Sequence, residues 1–148
     1  MGMTLIGQIF HGSGLLVVSA LIHVVILAGS IRFTVFVGER LDGTRRWLHD
    51  NAILAVGVLC MVLAHAFEIW IWALAFIWTG AIEGLETAFY FALVTYTTLG
   101  YGDITLEPGV RIFATFAAIT GLLCFGISTA FLLGVIVRLF PNIPTGPR

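Results

Sequence analysis

The sequence predicts an all-α integral membrane protein with three spans and one short re-entrant helix. Three observations carry that reading. Hydrophobic residues fill 59% of the 148 positions and charged residues only 10%, where a water-soluble domain carries roughly 25%; the mean hydropathy is +1.07. Apolar stretches at about residues 15–37, 52–78 and 110–139 each exceed the ~20 residues that cross a hydrocarbon core. A fourth stretch, residues 85–96, is too short to span at about 12 residues, and suits a helix that enters the bilayer and turns back.

The surrounding residues fit these elements in order. The first stretch holds His23 near its middle and Arg32 near its end, without the regularly spaced arginines of a voltage-sensing helix. No cleavable leader is expected, because residues 1–4 lack a basic group and the apolar run is too long. Myristoylation is not expected either, since Ile6 stands where Ser or Thr is required. Trp47 and Trp78 sit near the two ends of the second stretch, where indoles anchor to the interface, and Trp70 and Trp72 are given nothing beyond anchoring. Cys60 and Cys124 lie inside apolar segments and read as core or lipid-facing thiols, not a disulfide. Net charge is -1 and lysine is absent, so no nucleic-acid partner is expected. The tail, residues 141–148, is too short for a regulatory domain.

Behind the short helix comes Thr97-Thr98-Leu99-Gly100-Tyr101-Gly102-Asp103. Two glycines around one tyrosine, preceded by a hydroxyl residue, can aim successive backbone carbonyls along one line. Gly100 and Gly102 accept backbone angles that a Cβ makes costly. An oxygen ladder of this kind replaces the water shell of a dehydrated cation.

These seven residues, in a loop between two spans, resemble the filter of the potassium-channel pore family, with Leu99 where the commonest form has Val. The resemblance covers about residues 85–139 and extends loosely back to residue 52, leaving the first helix outside. It implies that the carbonyls of Thr98, Leu99, Gly100 and Tyr101, with the Thr98 hydroxyl, hold K+, and that Gly102 completes the filter. One loop leaves most of the coordination shell missing, so a homotetramer in the lipid bilayer is expected. No organic cofactor is implied, and the chain is not expected to be an enzyme. The division expected is residues 1–51 for the first helix and connecting loop, 52–140 for the pore, and 141–148 for the tail.

Within that frame, residues 88–95 form the pore helix, whose C-terminal end carries partial negative charge toward a central cavity. Glu83 and Glu86 suit its positive end, and Asp103 and Glu83 mark the outer mouth, where acidic groups concentrate cations. Two positions depart from the family's usual pattern. Val94 stands where many members have an acid, and Tyr90-Phe91 where they often have a tryptophan pair. Tyr90 and Val94 are therefore taken as filter supports, with a Tyr90 hydroxyl bond to Asp103 expected. Gly121 and Gly126 are the candidate gating hinge, although small residues also let membrane helices pack closely. Leu122, Phe125, Thr129, Leu133 and Val137 recur at helical spacing and are expected to line the cavity.

Orientation follows from two arguments. The resemblance implies a filter that opens outward, which places the loop at residues 38–51 and the tail in the cytoplasm. Charge agrees: Arg32, Arg40, Arg45, Arg46, Arg138 and Arg148 fall on that side, and Glu83, Glu86, Asp103 and Glu107 on the other, with Arg111. The N-terminus is then outside. Small size points to a prokaryotic cell membrane.

His65 and Glu68 lie three residues apart in mid-span and share a helix face. With His23 they are ionisable groups at membrane depth, where each needs a protein partner. Three readings stay open for His23, His65 and Glu68: a structural hydrogen bond, a proton sensor, or a metal site. The last would make the chain a membrane-embedded metal-dependent enzyme or a metal transporter. A non-conducting subunit of a larger channel is a further alternative.

Overall fold

A computed structural model of the chain describes residues 2–41 and 45–140, which form helices and no strand. α1 covers Leu5–Arg40, α2 Arg46–Trp78, α3 Leu85–Tyr96 and α4 Pro108–Leu139. α1, α2 and α4 are each long and apolar enough to cross a membrane. The bounds of α3 agree with the short stretch read from hydropathy.

α1 differs most from expectation, starting at Leu5 instead of near residue 15. The Thr4 hydroxyl caps it, accepting from the Gly7 N–H at 3.2 Å. Hydropathy overlooks the first turns because Gln8, Gly12 and Ser13 dilute them. At the far end α1 runs on to Arg40 and α2 starts at Arg46, so the connection expected across residues 38–51 shrinks to 41–45. The C-terminal tail lies outside the described residues.

α1 packs against both α2 and α4. Its buried face is Gln8, Gly12, Ser19, His23, Leu27, Ser30, Thr34 and Gly38. These recur at three- and four-residue steps or their sum, and almost all are small or polar. Lipid tails are as apolar as leucine, so helices in a bilayer associate through close backbone approach and hydrogen bonds, which such a stripe supplies. Large residues such as Ile6, Phe10, Leu21 and Val25 are left on the exposed face.

Gln8 shows how the stripe works. Its Oε1 accepts from the N–H groups of Ile112 at 3.0 Å and Phe113 at 3.3 Å. Its Nε2 donates to the Pro108 carbonyl at 3.2 Å and the Met3 carbonyl at 3.3 Å. The amide bridges the first turn of α4, and the Met3 N–H donates to the Gly109 carbonyl at 2.9 Å. Both helices therefore begin on the same side. Gln8→Ala strands these groups and is expected to cost about 1–3 kcal/mol, seen as a lower unfolding temperature of the purified chain.

Between α2, α3 and α4 the core is aromatic and small by turns. Trp72 and Phe76 meet Phe113 at ring-centroid distances of 5.5 and 6.0 Å. Ala88 and Ala92 on α3, with Ala114 and Ala117 on α4, complete it. Trp72 is thus a core residue, not an anchor. Trp47 and Trp78 are widely exposed at the ends of α2, as interfacial residues are.

Candidate functional site

The loop after α3 carries an alternation that regular structure does not. Thr98, Gly100 and Gly102 have φ of 60°, 56° and 77°, whereas Leu99 and Tyr101 between them do not have positive φ. Left- and right-handed residues in alternation turn successive peptide units so that carbonyls collect on one side and N–H groups on the other. The N–H side is tied back: Leu99 and Gly100 both donate to the Val94 carbonyl, at 3.0 and 3.2 Å, and Thr98 donates to Thr95 at 2.9 Å. The loop is exposed on the single chain. A β-branched residue at positive φ is strained, so Thr98 is held there by its surroundings.

Support comes from the middle of α3 and from its inner end. At the mouth, the Tyr90 hydroxyl donates to Asp103 Oδ2 at 2.6 Å. That bond, formed by the protonated phenol, pushes the Tyr90 hydroxyl above its ordinary pKa, so it stays a donor at neutral pH. Tyr90→Phe removes the only side-chain tie to the loop's last residue among the described residues, and is expected to weaken ion selectivity or hasten inactivation, measured as flux with each cation. Val94 acts through its backbone carbonyl, a function that its apolar side chain does not announce.

At the inner end, α3 stops against α4. A Cβ on Gly121 would sit 1.9 Å from the Tyr96 carbonyl oxygen, so Gly121 exists for close approach. α4 runs unbroken through both candidate hinge glycines, and only Gly126 has open space around it. Leu122, Phe125, Thr129, Leu133 and Val137 are all exposed on the isolated chain. They form one continuous face of α4.

His23, His65 and Glu68 do come together, and they bring partners the sequence reading missed. The Tyr96 hydroxyl donates to Glu68 Oε2. His65 Nδ1 lies 2.9 Å from that hydroxyl, and His65 Nε2 lies 3.1 Å from Ser128 Oγ. Ser128 Oγ is 2.9 Å from His23 Nε2, and His23 Nδ1 is 3.2 Å from Glu68 Oε1. Cys124 Sγ donates to the same oxygen at 3.5 Å. His23 and Glu68 are completely buried. The cluster therefore ties α1, α2 and α4 to the last residue of α3, directly before the filter-like loop.

One donor atom each from His23, Glu68 and Cys124 lies within 4.8 Å of the others. This is not the trio expected, because His65 approaches the other carboxylate oxygen, at 3.7 Å. Three donors are one short of a closed tetrahedral site, and hydrogen bonding already engages Glu68 and Cys124. Hydrogen bonds account for the arrangement. Cys124 and Ser128 had a legible signal: both stand near the middle of α4 as His23 does in α1, and polar groups at one membrane depth seek one another.

Residues 52–138 match the family described as "Ion channel". A segment of 58 residues, 38% of this chain, is 40% identical to the voltage-gated potassium channel Kch of Escherichia coli (strain K12), and covers 14% of that protein. No solved structure matches. The family match takes in more than half the chain, including all of α3, the loop and nearly all of α4. With three helices long and apolar enough to cross a membrane and a family match over more than half its length, this chain is an integral membrane protein that belongs to the ion-channel family.

Proposed function

We propose that four copies of the chain form a potassium-selective channel. The observation that carries this is the alternating backbone of residues 98–102, with the Thr98, Leu99 and Gly100 N–H groups turned back to α3. Four such strands around an axis supply carbonyl rings from Thr98, Leu99, Gly100 and Tyr101 that replace the hydration shell of K+. Asp103 and Glu83 draw cations to the mouth. The exposed face of α4 from Leu122 to Val137 lines the cavity below, and the α3 C-termini stabilise an ion there. Arginine placement puts the α1–α2 connection in the cytoplasm and the N-terminus, which shares a side with the mouth, outside. A prokaryotic cell membrane is the proposed setting.

The test is flux from potassium-loaded liposomes containing the purified chain alone, with external potassium replaced by sodium. A large preference for potassium, blocked by barium, is the expected result. Equal sodium flux overturns the selectivity, and silence at all pH values and voltages would point to a subunit that needs another pore-forming partner.

A further inference from the structure

The buried polar cluster is a closed ring, and its protons can be counted. Five side chains, Glu68, Tyr96, His65, Ser128 and His23, are joined by five links. Each link needs one proton between its two heavy atoms. With Glu68 ionised and both imidazoles neutral, the tyrosine, the serine and the two histidines bring one proton each. That makes four protons for five links.

The missing proton has an address. Tyr96 gives its proton to Glu68, so His65 must give the Nδ1 proton to the Tyr96 oxygen. Ser128 then donates to His65 Nε2, and His23 Nε2 donates to Ser128. His23 Nδ1 is left presenting a lone pair to Glu68 Oε1 across 3.2 Å. The geometry marks the same link, because His23 Nδ1 is a fully buried nitrogen with no aligned hydrogen bond. The Cys124 thiol points at Oε1 from outside the ring and brings nothing to Nδ1. Reversing the direction of donation moves the vacancy to the His65–Tyr96 link without filling it.

We propose that this cluster is a proton-binding site: it takes up one proton, shared between His23 Nδ1 and Glu68 Oε1, and the ring is closed only while that proton is held. The groups that face it are His23 from α1, His65 and Glu68 from α2, Tyr96 from α3, and Cys124 and Ser128 from α4. No arginine or aspartate bonds to any of them among the described residues. With the extra proton the ring is neutral overall. Without it, a full negative charge is buried at membrane depth beside an opposing lone pair, an arrangement the bilayer penalises. Opening the ring loosens Tyr96, whose neighbours Thr97 and Thr98 begin the filter, so proton occupancy sets how firmly the filter's base is held.

Above the ordinary histidine range the folded ring still holds the proton and the unfolded chain does not. The stabilisation is therefore present on the acid side of the step and lost as pH rises through it. A second extra proton would find no vacant link, so strong acid opens the ring as well.

The test compares the pH dependence of unfolding temperature for the purified full chain in lipid nanodiscs, from about pH 5 to about pH 9, the span in which histidine-linked sites change charge. Glu68→Gln brings a fifth proton of its own: its amide donates to His23 and its carbonyl accepts from Tyr96. Glu68→Ala removes the carboxylate and cuts the ring to three links, which Ser128, His65 and His23 fill with three protons. Both variants should lose the alkaline fall in stability expected of the wild type, and Glu68→Gln should keep the acid fall. Titrations outside the ring are common to all three proteins and cancel in the comparison. Identical profiles in the wild type and either folded variant overturn the proposal. So does stoichiometric bound metal, or a profile that a chelator shifts. The readout needs no ion flux, so it stands apart from the potassium reading.

Discussion

Gly121→Ala is expected to abolish the folded protein or lower its unfolding temperature steeply. The new Cβ would fall 1.9 Å from the Tyr96 carbonyl oxygen and 2.9 Å from its carbon. Both are backbone atoms that no rotamer change can move aside, so α3 and α4 must separate. Overpacking of a tight interior costs about 1–3 kcal/mol and sometimes more; a backbone neighbour puts this case at the upper end. Alanine returns only about 1 kcal/mol of helix propensity, so the clash wins. Gly126→Ala is the control. Its Cβ meets nothing within 4 Å, and the same propensity gain should leave the chain as stable or slightly more so. Unfolding temperature and yield of the two variants decide the matter: equal stability would show that α3 does not rest on Gly121. Gly126→Ala then becomes the clean probe of a hinge, because flux can change there without damage to the fold.

Gly100→Ala is expected to remove potassium-selective flux while leaving helix content and unfolding nearly unchanged. The position has φ of 56° and open space where a Cβ would go, so the cost is conformational, not steric. An L-residue in the left-handed region costs roughly 1–2 kcal/mol, and Thr98 two residues earlier already bears that strain. In the proposed fourfold assembly the cost is repeated in every strand, about 4–8 kcal/mol in all. Relaxing it requires the peptide beside residue 100 to turn, which takes a carbonyl out of the ladder. A tenfold loss in flux corresponds to only about 1.4 kcal/mol, so even partial relaxation is measurable. Potassium flux and selectivity equal to the wild type would mean that the loop's backbone alternation does not form the ion path.

Much of this molecule was legible because membrane helices and left-handed residues are local properties. Three spans and the short helix of residues 85–96 follow from hydropathy and length alone. The Gly-Tyr-Gly pattern announces positive φ where it occurs, since only glycine adopts it without strain. Thr98 was less legible: nothing in a threonine signals φ of 60°, and it is imposed by the alternation around it. The N-terminal turns of α1 were lost to hydropathy because Gln8 is polar, yet Gln8 is almost wholly buried and spends its polarity on α4.

The solvent, the number of spans, the short helix and the glycine-flanked loop are each encoded within about 20 neighbouring residues. Which polar groups meet depends on how the helices are assembled. His23 reaches Ser128 across 105 positions, His65 reaches Ser128 across 63, and Glu68 reaches Tyr96 across 28. The same assembly makes Gly121 a seat for the end of α3 and places Trp72 in the core. Bilayer chemistry requires that a buried polar side chain find a partner, but it does not say which one. That choice is made by the register of one helix against another, and helix register is set by the packing of whole faces.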